Sequence, residues 1–128
     1  MPTFPVVTGD VLTSTIFNGL PAFTVQTAKT ADYTAASGDE YQQLIPMNKA
    51  TAIAFKIPTD ATYAFPVGTV ITVLNIGVGA VTISATTSAT TTILSAGTVA
   101  AQPTLAQYKS AACIKTAANA WYVVGAIA

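Results

Sequence analysis

Apolar and polar side chains alternate with a period of two along much of this chain. Thr51, Ile53, Phe55 and Ile57 are separated by Ala52, Ala54 and Lys56. Val81, Ile83 and Ala85 are separated by Thr82 and Ser84. Further on, Tyr108, Ser110, Ala112 and Ile114 interleave with Lys109, Ala111, Cys113 and Lys115. Successive side chains of a strand point to opposite faces, so this period predicts strands with one face turned to a core. Val70 to Leu74 and Trp121 to Ile127 predict apolar strands, and the β-branched run from Thr90 to Leu94 suits extended backbone. Ser37-Gly38-Asp39, Pro58-Thr59-Asp60, Gly77-Val78-Gly79-Ala80 and Ala117-Ala118-Asn119 punctuate them as turns. Roughly eight or nine short strands at such spacing predict an all-β fold, an antiparallel β-sandwich or barrel. No exact internal repeat and no helical period of useful length occurs.

The first 24 residues follow a different pattern. Pro2, Pro5 and Pro21 interrupt regular structure, while Phe4, Ile16, Phe17, Leu20 and Phe23 are isolated apolar anchors. Thr13 suits the cap of a single helical turn from Ser14 to Asn18, with Gly19 as its stop. So short a helix needs something to pack on. The expected organisation is an extended N-terminal arm over residues 1–24 and one β domain over residues 25–128. A chain of 128 residues is the size of one ordinary domain.

Charge narrows the function. Five Lys and five acidic residues give a formal net charge of zero, and there is no His. No basic surface exists to neutralise phosphates, so nucleic acid is not an expected partner. Without His, a Ser-His-Asp triad, a Cys-His pair and most zinc sites cannot be built. One Cys cannot form an internal disulfide. The N-terminus lacks a basic leader, and no run of 18 apolar residues occurs, so neither a signal peptide nor a membrane helix is expected. Between Ala61 and Tyr108 there is no charged side chain at all. Such a stretch implies a Thr-coated surface or a surface covered by other subunits.

Candidate chemistry is sparse. Cys113 has no base beside it and reads as a small apolar residue in a strand. Asp39 and Glu40 are adjacent, so in extended backbone they point apart, and a glycosidase pair is not expected. Asp32, Asp39 and loop carbonyls are the conceivable calcium ligands, without EF-hand spacing. With those carboxylates, a solvated turn is the plainer reading. Gly77 and Gly79 suggest a bulge or tight turn, since a third Gly is missing and a strand follows where a phosphate loop requires a helix. Tyr108, Trp121 and Tyr122 are the candidates for a sugar platform, although Trp121 shares its face with Val123 and Ile127, which favours a core position. Lys109 and Lys115 mark a solvent side or a protected edge strand.

Several motifs in fixed order resemble a β-module recurrent in tailed-bacteriophage virion proteins. They are Ile53-Ala54-Phe55-Lys56-Ile57-Pro58, Ala64-Phe65-Pro66-Val67-Gly68-Thr69-Val70-Ile71-Thr72-Val73 and Gly77-Val78-Gly79-Ala80-Val81-Thr82-Ile83. Gln107-Tyr108, Ile114-Lys115-Thr116, Asn119-Ala120-Trp121 and Gly125 complete the series, which covers about residues 28–127. Gly9-Asp10-Val11-Leu12-Thr13, with Asn18 beyond it, is similar to the start of many phage fibre and structural proteins. The family fixes no catalytic residues. Its motif gives Gly68 and Gly79 a role at sharp turns, Pro66 one at a strand start and Trp121 one as a large buried body.

The resemblance implies a non-enzymatic virion protein, made in the host cytoplasm and requiring no cofactor or metal. The expected role is a capsid decoration or cement protein on the particle exterior, built as a trimer and contacting the major capsid protein or tail and fibre proteins. Phe4, Ile16, Phe17, Leu20 and Phe23 are the expected contacts to neighbouring subunits. The alternatives are a tail-fibre or head-fibre tip or adaptor and, in another class, a carbohydrate-binding module.

Overall fold

The computed structural model describes residues 25–41, 44–95, 98–99 and 102–127. The expected arm, its anchors Phe4, Ile16, Phe17, Leu20 and Phe23, and the helical turn at residues 14–18 lie outside the described residues. Those described form strands and no helix: β1 (Tyr33–Thr34), β2 (Leu44–Met47), β3 (Ile53–Ile57), β4 (Val70–Asn75), β5 (Val81–Ala85), β6 (Thr92–Ser95), β7 (Thr98–Val99), β8 (Thr104–Leu105), β9 (Ser110–Ala117) and β10 (Ala120–Gly125). The all-β expectation holds. The strands make a four-stranded sheet in the order β1-β3-β5-β8 and a six-stranded sheet in the order β2-β4-β9-β10-β6-β7.

From β1 to β6 the chain changes sheet at every connection. A chain that crosses to the other sheet and back returns running in its original direction. The pairs β1–β3, β3–β5 and β2–β4 are accordingly parallel, and so is β6–β10. This corrects the expectation of antiparallel pairing throughout, which holds only for β4–β9, β9–β10, β5–β8 and β6–β7. Parallel neighbours need a long crossover. Here a strand of the opposite sheet supplies it where many folds use a helix.

Two of these parallel pairs share one offset, while β1–β3 joins Tyr33 to Phe55, 22 residues on. Leu44 meets Thr72 and Ile53 meets Val81, each partner 28 residues further along. The turns stack as well: Gly79 N donates to Lys49 O at 2.9 Å, and a Cβ on Gly79 would lie 1.8 Å from Thr51 O. A Cβ on Gly77 would lie 2.4 Å from Lys49 N. Both glycines are therefore demanded by backbone-to-backbone contact between coils. Asn75 seals this corner. Its Nδ2 donates to Gly79 O and Leu105 O, each at 2.9 Å, and its Oδ1 accepts from Gly77 N at 3.0 Å. These three bonds make its complete burial tolerable.

One apolar cluster joins the two sheets. Ile53, Phe55, Ile57, Val81, Ile83 and Leu105 come from the smaller sheet, and Ile45, Met47, Ile71, Val73, Cys113, Trp121 and Val123 from the larger. The alternation in β3 and β5 is the alternation of burial, as the sequence pattern requires, and burial alternates in β9 too, with Ala111, Cys113 and Lys115 turned inward.

Candidate functional site

Two stretches that carry the resemblance, Phe65 to Thr69 and Lys115 to Trp121, meet at one corner. Gly68 adopts φ +94°, where glycine is favoured, and the turn it completes joins Phe65 to β4. Thr69 Oγ1 donates to Pro66 O at 2.6 Å and fixes that turn. Gly68 N donates to Lys115 O at 2.8 Å, and Lys115 N to Thr69 O at 2.9 Å, tying the turn to β9. Phe65 packs edge-on to Trp121, with ring centroids 5.7 Å apart, and to Tyr63 at 4.5 Å. Trp121 is 1% exposed.

Lys115 corrects the expectation of a solvent-side or edge lysine. It is 2% exposed, on a strand flanked by β4 and β10. Its Nζ donates to Asp60 Oδ1 at 2.8 Å and to Phe65 O at 2.6 Å. Asp60 and Asn119 clasp each other: Asp60 N donates to Asn119 Oδ1 at 2.8 Å, and Asn119 N to Asp60 Oδ2 at 3.2 Å. Asn119 takes φ +51° at the tip of the β9–β10 hairpin, the tip the sequence placed at Ala117-Ala118-Asn119. Sequence reasoning missed Asp60 and Asn119 as partners of Lys115. The one available signal was a lysine in register with Cys113 and Ala111.

The other carboxylates hold backbone and tyrosines. Asp39 and Glu40 do sit in a turn, but Asp39 is 5% exposed, so a freely solvated turn is corrected. It accepts from Gln26 Nε2 and Tyr33 Oη, each at 2.7 Å, and from Ala36 N at 2.8 Å. Burial, and then the hydrogen bond to Asp39, hold the Tyr33 phenol well above its ordinary value. Glu40 accepts from Gly38 N at 2.6 Å and from the Tyr63 hydroxyl, whose hydrogen bond to Glu40 raises its pKa. Asp32 Oδ1 accepts from Ala54 N at 2.9 Å. Among the described residues, no group of three His, Cys, Asp or Glu side chains is placed to hold a metal ion. Burial pushes the Cys113 thiol up to about 12. A polar cleft of about 280 Å³ is lined by Lys56, Ser84, Thr86, Ser88, Thr91 and Gln102, with no carboxylate to serve as acid or base.

The outer faces of the two sheets differ. Outward positions of the smaller sheet include Thr34, Lys56, Thr82, Ser84 and Thr104. Those of the larger sheet carry no charge. One row runs Val70, Ile114, Tyr122, Leu94 across β4, β9, β10 and β6. A second runs Leu44, Thr72, Ala112, Val124. Val70, Tyr122 and Val124 are 37%, 44% and 49% exposed. Tyr108 and Tyr122 are exposed while Trp121 is buried, so the structure does not bring the three aromatics of a sugar platform together. No helix among the described residues is long and apolar enough to cross a membrane. No family model matches this chain, and no curated protein or solved structure matches it either.

Proposed function

We propose that this protein is a non-enzymatic structural component of a tailed-phage virion, a decoration or cement protein of the capsid exterior that assembles as a trimer. One observation carries the proposal. The motif residues Phe65, Pro66, Gly68, Lys115, Asn119 and Trp121 meet in one corner, where Lys115 and Asn119 bind Asp60, Pro66 O accepts from Thr69, and Trp121 packs edge-on to Phe65. A motif so placed is architectural, so function falls to the surface. There the described residues offer a charge-free sheet face suited to assembly and no pair of carboxylates committed to chemistry.

The test uses the purified full chain and undecorated capsids of the phage that encodes it. Sedimentation is expected to give a trimer, the chain is expected to co-sediment with capsids, and mass spectrometry is expected to find it in virions. A monomer with no affinity for capsids and no presence in virions would sink the proposal. Density for the chain at the tip of a tail or head fibre would replace decoration with the fibre role. Binding on a glycan array that is lost in Tyr108→Ala or Tyr122→Ala would favour the carbohydrate-binding class.

A further inference from the structure

At one end of the smaller sheet, β3 and β5 stop and a Thr-rich turn takes over. Lys56 and Ser84 are register partners on these strands, both at outward positions. Thr86 N donates to Ile57 O at 3.0 Å, which carries the chain past the end of β3. The turn beyond it closes on itself, since Thr90 N and Thr91 N both donate to Thr87 O, at 3.0 and 2.9 Å. Gln102 comes from the segment before β8, next to Pro103, whose carbonyl accepts from Ile83 N at 2.9 Å. Between these pieces lies the cleft of about 280 Å³, with Ala85 and Ile93 as its apolar part.

Lys56 is the one charged group of this cleft, and no ion pair to it occurs among the described residues. Thr91 also lines the cleft, is 2% exposed, and its Oγ1 has no hydrogen-bond partner. Buried hydroxyls are nearly always paired. We propose that the cleft binds one acidic sugar residue, a six-membered ring bearing a carboxylate. The carboxylate sits on Lys56, and ring hydroxyls meet Ser84, Thr86, Ser88, Thr91 and Gln102. Charge selects the anion, because a carboxylate brings one negative charge to one ammonium and a charge-assisted hydrogen bond is the stronger kind. The lining selects the sugar, because Ser and Thr hydroxyls both donate and accept, as sugar hydroxyls do. Size selects a single ring: the volume is close to twice the roughly 150 Å³ that admits benzene. A nucleotide fits less well, since no aromatic side chain lines the cleft for its base and a single ammonium would face all its phosphate charge. The charged wall belongs to the smaller sheet and not to the face given to assembly, so this binding goes beyond the proposed virion role and stands or falls without it.

Titration of the full chain with glucuronate, followed by heteronuclear NMR, tests this. Saturable shifts are expected at Lys56, Ser84, Thr86 and Thr91. Glucose is expected to bind at least about tenfold more weakly, the scale of one charge-assisted hydrogen bond. Lys56→Met is expected to lose about tenfold in affinity for glucuronate, while Lys56→Arg keeps most of it. Thr91→Val, close to Thr in shape, is expected to weaken binding as well. Spectra that match the parent's away from the cleft show that each variant keeps the fold. Equal affinity for glucuronate and glucose overturns the role of Lys56. Acetate or inorganic phosphate binding as tightly as glucuronate overturns the sugar. Binding kept in Lys56→Met but lost in Tyr122→Ala overturns the seat, and the absence of any saturable shift overturns the proposal outright.

Discussion

The Lys115 ammonium meets the Asp60 carboxylate at 2.8 Å, across a sequence separation of 55 residues. The two ends are unequal: the Lys115 side chain is 2% exposed and that of Asp60 22%. Asp60→Ala strands a buried cation beside Phe65 O and is expected to destabilise the fold by about 3–5 kcal/mol. Lys115→Met removes the buried charge and leaves Asp60 with water and Asn119 N, so its cost is expected to be smaller. The double variant is expected to resemble Lys115→Met more than the sum of both, as urea midpoints will read.

Gly79 and Gly68 give two glycines with different demands. A Cβ at Gly79 collides with the Thr51 backbone, so Gly79→Ala forces two coils apart and is expected to cost about 3 kcal/mol or more. A Cβ at Gly68 meets nothing within 4 Å, and only its φ of +94° resists. Gly68→Ala is expected to cost about 1–2 kcal/mol. Equal midpoint shifts in denaturant would contradict the stacked-turn contact.

The buried thiol sets an alkaline limit. Burial raises Cys113 from 9.0 to about 12, so between those values the folded state retains a proton that the unfolded state releases. Stability therefore falls as pH rises through that window. Tyr33, raised by burial and by Asp39, adds to the loss above its ordinary value of 10.0. Cys113→Ala is expected to flatten the decline by up to one proton per chain between pH 9.0 and about 12, measured by unfolding at stepped pH. Thiol reagents at neutral pH are expected to label Cys113 only as fast as the chain opens.

The two outer faces are expected to respond differently to charge. Val124→Lys places a cation in the uncharged outer row of the six-stranded sheet, beside Ala112, and is expected to cost up to about 1 kcal/mol of lost apolar burial. Thr104→Lys, on the polar face of the other sheet, is expected to stay within about 0.5 kcal/mol of the parent. Thermal unfolding of both variants checks this, and equal midpoints for the two would contradict the difference between the faces.

Strand positions were legible because burial follows period two in β3, β5 and β9. Direction was not, since alternation is the same for parallel and antiparallel partners. Which face lies inside was harder in β9. Ala112 and Ile114 point outward and Lys115 inward, so apolarity no longer marks the core. Lys115 reads as a surface residue until Asp60 arrives from a distant turn. The repeat was hidden for a similar reason. Gly77 and Gly79 stand where the preceding coil has Lys49 and Thr51, because one layer must yield space to the other.

The two coils that share the 28-residue offset also define a direction of stacking. Antiparallel β8 closes the smaller sheet beyond β5, and antiparallel β9 lies beyond β4 in the larger. Each adjoins the last of the offset coils and runs against it, and β10, β6 and β7 follow β9 across the larger sheet. The Lys115–Asp60 ion pair spans this reversal, since Asp60 follows β3 and Lys115 lies in β9, and so it clamps the chain entering the last coil to the strands that run against it.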